Sequence, residues 1–181
     1  MRRFLLLVLV LLLPSVLMAA PVQYRTATFG GGCFWGTEYA FRKVKGVKET
    51  KAGYMGGTLP NPTYQIAHTE GSGYVEVVQV TYDPAVVTYK RLLQVFFENH
   101  DPTEPNHTRP RIGGAYLSTV FAHDLVQEKS AKLYRERLQK RYREKVQTRI
   151  LPVTQFWSAE ENHQRYYEKR GITPKCYVQS S

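Results

Sequence analysis

Strand-like and helix-like segments alternate along the whole chain. That alternation predicts an α/β domain of the two-layer α+β sandwich kind: one mixed or antiparallel sheet with helices packed on it. Two further observations point to a single domain. At 181 residues the chain is long enough to bury a real core. It also shows no internal repeat and no linker that would divide it.

Taken in order, residues 1–20 read as a signal peptide. Arg2 and Arg3 precede an apolar run, Phe4–Leu13, and the segment closes on the small residues Ala19 and Ala20. The run falls short of the ~20 apolar residues a bilayer span needs, so the expectation is an exported chain, periplasmic or secreted, with no stable membrane span. Residues 21–181 then form the folded domain. Its first strand is Tyr24–Phe29, followed by Gly30-Gly31-Gly32-Cys33-Phe34-Trp35-Gly36 and a helix over Thr37–Val44. Val47–Tyr54 alternates like a strand and ends at Gly56-Gly57, and turn formers fill Thr58–Tyr64. Gly71-Ser72-Gly73 opens the clearest strand, Tyr74–Tyr82, which Asp83-Pro84 breaks. Thr88 caps a helix with apolar Leu92, Leu93, Val95, Phe96 and Phe97. A long loop, Asn99–Gly114, leads to a strand at Tyr116–Phe121 and a basic amphipathic helix over Asp124–Lys145. Arg149–Val153 reads as a short strand. Ser158, with Glu160 and Glu161 behind it, predicts a capped helix reaching Arg170 and stopped by Gly171. The tail Ile172–Ser181 carries Cys176.

The formal net charge of +10 is spread over faces that also carry acids, so the basic helix is read as a solvated surface and not as a nucleic-acid site. The five histidines show no paired ligand spacing, which predicts no metal centre. His100, beside Asp101, is expected to anchor its loop. No bound cofactor is expected, and a monomer is the default state.

The chemistry concentrates around Cys33. A cysteine where a Gly-rich turn enters a helix meets unpaired backbone amides and the positive end of the helix dipole, which favour the nucleophilic thiolate. Glycines at that turn, Gly32 among them, allow tight curvature and close approach of a substrate. On the strand Tyr74–Tyr82, period two puts Glu76 on one face with Tyr74, Val78, Val80 and Tyr82. A carboxyl on an apolar face is disfavoured as an anion and suited to donating a proton; a solvated strand end or a lysine partner is the alternative. The only two cysteines, Cys33 and Cys176, fit either a structural bridge or one made and broken during turnover.

Gly32-Cys33-Phe34-Trp35-Gly36 resembles the signature of the A-type peptide methionine sulfoxide reductases. The same family order is similar in Ala52-Gly53-Tyr54-Met55-Gly56-Gly57, Asn61-Pro62-Thr63-Tyr64, Glu76, Glu98-Asn99-His100-Asp101-Pro102-Thr103 and Phe156-Trp157-Ser158-Ala159-Glu160-Glu161 with His163-Gln164. The resemblance implies a ferredoxin-like plait and reduction of the S epimer of methionine sulfoxide, free or in proteins. It implies that Cys33 attacks sulfur, that Glu76 protonates the oxygen and that Tyr64 and Tyr116 hydrogen-bond it. Phe34 and Trp35 would cradle the methyl group. Cys33 would end as a sulfenic acid, Cys176 would resolve it, and a thioredoxin-like dithiol would reduce the disulfide. The chain departs from the family at two places. Tyr74 and Val75 stand where relatives have His-Ala before the glutamate. Arg111, Ala115 and Leu117 stand where relatives have an acid, an amide and a guanidinium, and Arg111 facing the pocket would favour the Cys33 thiolate further. Three rival readings of the same thiol are a Cys–His hydrolase, a thiol peroxidase and an exported module that binds oxidised methionine without turnover.

Overall fold

A computed structural model describes residues 22–104 and 114–174. The signal-peptide segment, Arg111 and Cys176 lie outside the described residues. The elements are β1 (Arg25–Gly30), α1 (Phe34–Arg42), β2 (Val47–Met55), α2 (Tyr64–Ala67), β3 (Val75–Tyr82), α3 (Tyr89–Glu98), β4 (Thr119–Ala122), α4 (Leu125–Gln139), β5 (Arg149–Pro152), β6 (Trp157–Ser158) and α5 (Tyr166–Lys169). They build one sheet in the order β5-β4-β1-β3-β2-β6. Every neighbouring pair is antiparallel except β4 and β5, so the sheet is mixed. Its centre, β1-α1-β2-β3-α3-β4 with strand order β4-β1-β3-β2, is the ferredoxin-like arrangement that the family resemblance implies.

The sheet keeps the predicted period. Val78, Val80 and Tyr82 join Ala27, Phe29, Phe41, Leu92, Leu93 and Phe96 in the main core under the helices. Val75 and Val77 turn to the other face, into a smaller cluster with Met55 and Phe121. Glu76, in step with Val78, therefore points into the helix-covered layer. Phe29 stacks on Phe41 at 4.8 Å and on Phe96 at 5.2 Å, tying β1 to α1 and α3; aromatic pairs of this kind add about 0.5–1.5 kcal/mol beyond the area they bury. His100 closes α3 onto the start of β4. Its Nδ1–H donates to the Phe96 carbonyl at 2.8 Å, and its Nε2 accepts from Ser118 Oγ at 2.7 Å. Burial holds its pKa down to about 4, so it works as a neutral anchor of its loop.

The two C-terminal helices differ from the sequence reading. α4 stops at Gln139 rather than Lys145, because the Gln139 side chain accepts from Val146 N at 2.8 Å and donates to the Glu144 carbonyl at 2.9 Å. That side chain holds the next residues as a turn. The predicted helix from Ser158 to Arg170 shrinks to the four residues of α5. Ser158 is taken by pairing of β6 with Gly53 of β2, and the Glu160 carboxylate goes to other elements. A short helix, α2, occupies the end of what reads as a loop, with Thr63 Oγ1 capping Ile66 N at 3.3 Å. Among the described residues no helix is long and apolar enough to cross a membrane.

β6 approaches β2 only because position 53 has no side chain. A Cβ there would lie 2.4 Å from the Phe156 ring and 2.4 Å from the Trp157 carbonyl oxygen. Gly53→Ala is expected to cost about 1–3 kcal/mol, the usual range for overpacking, read as a lowered urea midpoint. An unchanged midpoint would show that β6 can move aside without loss.

Candidate active site

The site forms where β1 ends against β3. At Gly30 a Cβ would meet Val75 Cγ1 at 2.6 Å and the Glu76 carbonyl at 2.9 Å, so the missing side chain lets the turn lie directly on the strand. Gly32 has φ +79° and open space around its Cα; it is there for its backbone, and an L-residue would be strained. The chain then enters α1 with Cys33 as the N-cap and no side-chain cap. No acidic residue occupies the first turn of α1. The acid comes from β3 instead: Phe34 N–H donates to Glu76 Oε2 at 2.8 Å. Glu76 is 1% exposed. It is thus neither a solvated strand end nor a lysine's partner; it satisfies the amide end of the helix that Cys33 caps.

Glu76 is held by its backbone as well. Its N–H donates to the Ala115 carbonyl at 2.7 Å, which pulls the segment before β4 across β3 and delivers Tyr116. Ala115 is fully buried there, and Leu117 packs on the smaller cluster with Val75 and Val77. From the opposite side α2 delivers Tyr64. The Tyr64 and Tyr116 phenols hydrogen-bond each other. Burial first, then the Glu76 and Cys33 charges, push Tyr116 above the ordinary phenol range. Burial likewise raises Tyr64, against its bond to Tyr116 and with help from Glu76 and Cys33. Both therefore stay O–H donors near neutral pH, beside the thiol and the carboxyl.

Aromatic rings wall the site. Phe34 lies 5.9 Å from Tyr54 and 5.3 Å from His163. Trp35 stacks on Tyr166 at 3.6 Å, and its Nε1–H donates to His163 Nδ1 at 3.1 Å. His163 also stacks on Tyr64 at 4.8 Å. Cys33, Phe34, Trp35, Glu76, Tyr64 and Tyr116, all singled out in the sequence, are brought to one place.

Three further residues complete the arrangement without having been given these roles from the sequence. Glu160 Oε2 accepts from Tyr54 Oη at 2.9 Å and its Oε1 accepts from Tyr64 N at 2.8 Å. Burial works against its charge, yet the Tyr64 amide and the other donors hold its carboxyl below the usual range. Gln164 bridges the β2 backbone, accepting from Ala52 N and donating to Ala52 O, each at 2.9 Å. His68 sits at the C-cap of α2, against Glu76. The Ala159-Glu160 and His163-Gln164 stretches were visible as motif; His68 carried no such signal, because it faces Glu76 only once the chain turns back from α2 into β3. Among the described residues, no group of three or more His, Cys, Asp or Glu side chains gathers as a metal site.

Comparisons with known proteins converge on one family. A family model described as "Peptide methionine sulfoxide reductase" matches residues 25–181. A peptide methionine sulfoxide reductase from Methanoculleus marisnigri is 49% identical over 85% of this chain and 95% of its own. Among solved structures, the reduced form of Mxr1 from Saccharomyces cerevisiae superimposes with a TM-score of 0.77 at 33% identity, covering 90% of this chain and 94% of that one. The same yeast protein in complex with Trx2 gives a TM-score of 0.57 at 28% identity over 84% of this chain and 91% of that one.

Proposed function

The chain belongs to the peptide methionine sulfoxide reductase family, oxidoreductases acting on methionine sulfoxide, and on that premise we propose how its own residues carry out the reduction. The observation that carries the proposal is the 2.8 Å bond from Phe34 N–H to Glu76 Oε2, which fixes a buried carboxyl beside the thiol at the helix N-terminus.

Cys33 Sγ, as thiolate, attacks the sulfoxide sulfur. Glu76, in its protonated form, gives a proton to the sulfoxide oxygen, and the Tyr64 and Tyr116 hydroxyls hydrogen-bond that oxygen as negative charge develops on it. Phe34 and Trp35 receive the S-methyl group in an apolar slot. The oxygen ends on Cys33 as a sulfenic acid, methionine leaves as the thioether, and one proton is consumed. Three fixed directions around the sulfur (nucleophile, oxygen donors, methyl slot) accept one sulfoxide epimer; the family resemblance makes it the S epimer, free or within proteins. Cys176 then condenses with the sulfenic acid, releasing water and forming a disulfide. A thioredoxin-like dithiol reduces that disulfide by exchange; the yeast relative's structure with Trx2 supports this choice of partner. The leader read in residues 1–20 supports export, which puts both substrate and reductant outside the cytoplasm.

Incubation with each epimer of a methionine sulfoxide peptide and dithiothreitol is expected to yield methionine from the S epimer only, and none with Cys33→Ser. Binding without product would instead identify a binding module, peptide cleavage a hydrolase, and faster turnover of peroxide a peroxidase. Cys176→Ser is expected to release methionine once per chain and then stall with thioredoxin; full thioredoxin-linked turnover would remove its resolving role. Expressed with its leader, the chain is expected to leave the cytoplasm and begin at Pro21 by mass; a retained full-length chain would contradict export.

A further inference from the structure

The buried carboxyl has a second neighbour whose chemistry the scheme above leaves unused. His68 is fixed by its backbone contact: its Nδ1 lies 2.7 Å from the Tyr64 carbonyl oxygen. A carbonyl only accepts, so Nδ1 carries a hydrogen whether the ring is neutral or charged. The ring is clamped by Tyr64 at 4.0 Å and by the edge of Tyr116 at 5.6 Å. The other nitrogen, Nε2, then faces Glu76 Oε1 at 3.1 Å. That contact lies off good hydrogen-bond alignment, and neither atom is hydrogen-bonded elsewhere among the described residues. A small rotation of either group would align it. Glu76 Oε2 is meanwhile occupied by the Phe34 amide.

Two acceptors cannot face each other at that distance in a buried site without a large desolvation cost, and nor can two donors. One proton therefore belongs between Nε2 and Oε1, as imidazolium with carboxylate or as imidazole with carboxylic acid. Burial alone would lower the His68 pKa, but the Glu76 carboxylate, the Tyr64 carbonyl and Glu160 together hold it above the ordinary histidine value. Near neutral pH the pair is thus loaded with its proton.

We propose that His68 is a positioning residue that shares one proton with Glu76 and supplies it to the carboxyl as the sulfoxide oxygen takes it up. The proposal rests on Glu76 as the proton donor of the reductase reading. As the Cys33 Sγ bond to the sulfoxide sulfur forms, the one shared proton passes from His68 Nε2 to Glu76 Oε1 and on to the sulfoxide oxygen. When the sulfur–oxygen bond breaks, that oxygen and proton remain on Cys33 as the sulfenic hydroxyl. His68 is left neutral against a carboxylate. That is the unfavourable pairing of two acceptors, so the ring recovers its proton from solvent, which its 14% exposed side chain can reach.

The other groups facing this pair are Cys33 from the N-cap of α1, Tyr54 from β2, Tyr64 from α2, Tyr116 from the turn before β4, and Glu160 beyond β6. Burial and nearby negative charge keep the three phenols protonated, and Glu160 stays ionised. The sign follows. A folded histidine pKa above its ordinary value keeps the pair's proton, and its stabilising contact, as pH rises past about 6.5. Both are lost only when pH passes the higher folded value.

The test is the single-turnover rate of methionine release from an S-epimer sulfoxide peptide between pH 5 and pH 10, for wild type and His68→Gln. Wild type is expected to lose rate on the alkaline side as the pair gives up its proton. His68→Gln is expected to be about tenfold slower at pH 7, less than the ~10²–10⁴-fold a general acid itself contributes, with that alkaline limb displaced. A uniform drop with an unchanged profile, or no drop, would overturn the proposal. Nitrogen-15 NMR of the reduced wild-type chain does not depend on the variant folding. It should show Nδ1 protonated throughout and Nε2 titrating; a folded Glu76→Gln chain, whose side-chain oxygen can still accept the Phe34 amide, should show a lower His68 pKa. A proton on Nε2 in the neutral ring, or a His68 pKa unmoved by Glu76→Gln, would overturn it. If wild type releases no methionine at all, the reductase reading fails, while the NMR result still decides whether the pair shares a proton.

Discussion

The bond from the first amide of α1 to the Glu76 carboxylate is the constraint on which the rest of the site depends. Helix N-termini leave four amides unsatisfied, and α1 has neither a side-chain cap nor an acid in its first turn. The carboxylate that answers this need sits on β3, the strand between β1 and β2. Charge-assisted bonds of this kind contribute about 1.5–3 kcal/mol, and a buried carboxylate left without a partner costs more than that. Folding the sheet against α1 therefore also sets the acid beside the nucleophile. Stability and chemistry share one interaction: Gly30 lets the backbone come close enough to make it, and Gly32 takes the positive φ that turns the chain into α1.

A second layer fixes the directions of the donors. The segment following β6 wraps back over β2, where Gln164 binds both backbone groups of Ala52 and Glu160 ties Tyr54 to the amide of Tyr64. His163 joins the Trp35 indole to the Tyr64 ring. On the far side, Ala115 holds the Glu76 backbone and positions Tyr116. The departure from the family pattern at Ala115 is thus absorbed by a backbone contact, which does not need the amide side chain, and by full burial of the smaller one.

Much of this was legible in the chain because local chemistry and global structure agreed. A glycine run between an apolar strand and a helical repeat placed Cys33 at a helix N-terminus, and strict alternation put Glu76 on the core face of β3. Thr88 caps α3 as its position suggests, with its Oγ1 accepting from Arg91 N at 3.2 Å. Legibility failed where tertiary partners claimed groups that look like local signals. Glu160 reads as a first-turn acid of a helix capped by Ser158, but its carboxylate bonds across to Tyr54 and Tyr64, and the helix in that stretch is four residues long. Gln139 reads as helix interior, yet its amide folds the following turn. His68 sits one helical turn after Tyr64, but nothing in its local pattern marks Glu76, because α2 and the sheet together create that contact.

The most direct test of the account is the rate of Cys33 sulfenic acid formation in Glu76→Gln, measured in a single turnover alongside its urea midpoint. Glutamine keeps an oxygen to accept the Phe34 amide but has no carboxyl proton to give. The account predicts a folded chain in which that step is slowed by about 10²–10⁴-fold. A folded variant that forms the sulfenic acid at the wild-type rate would contradict it.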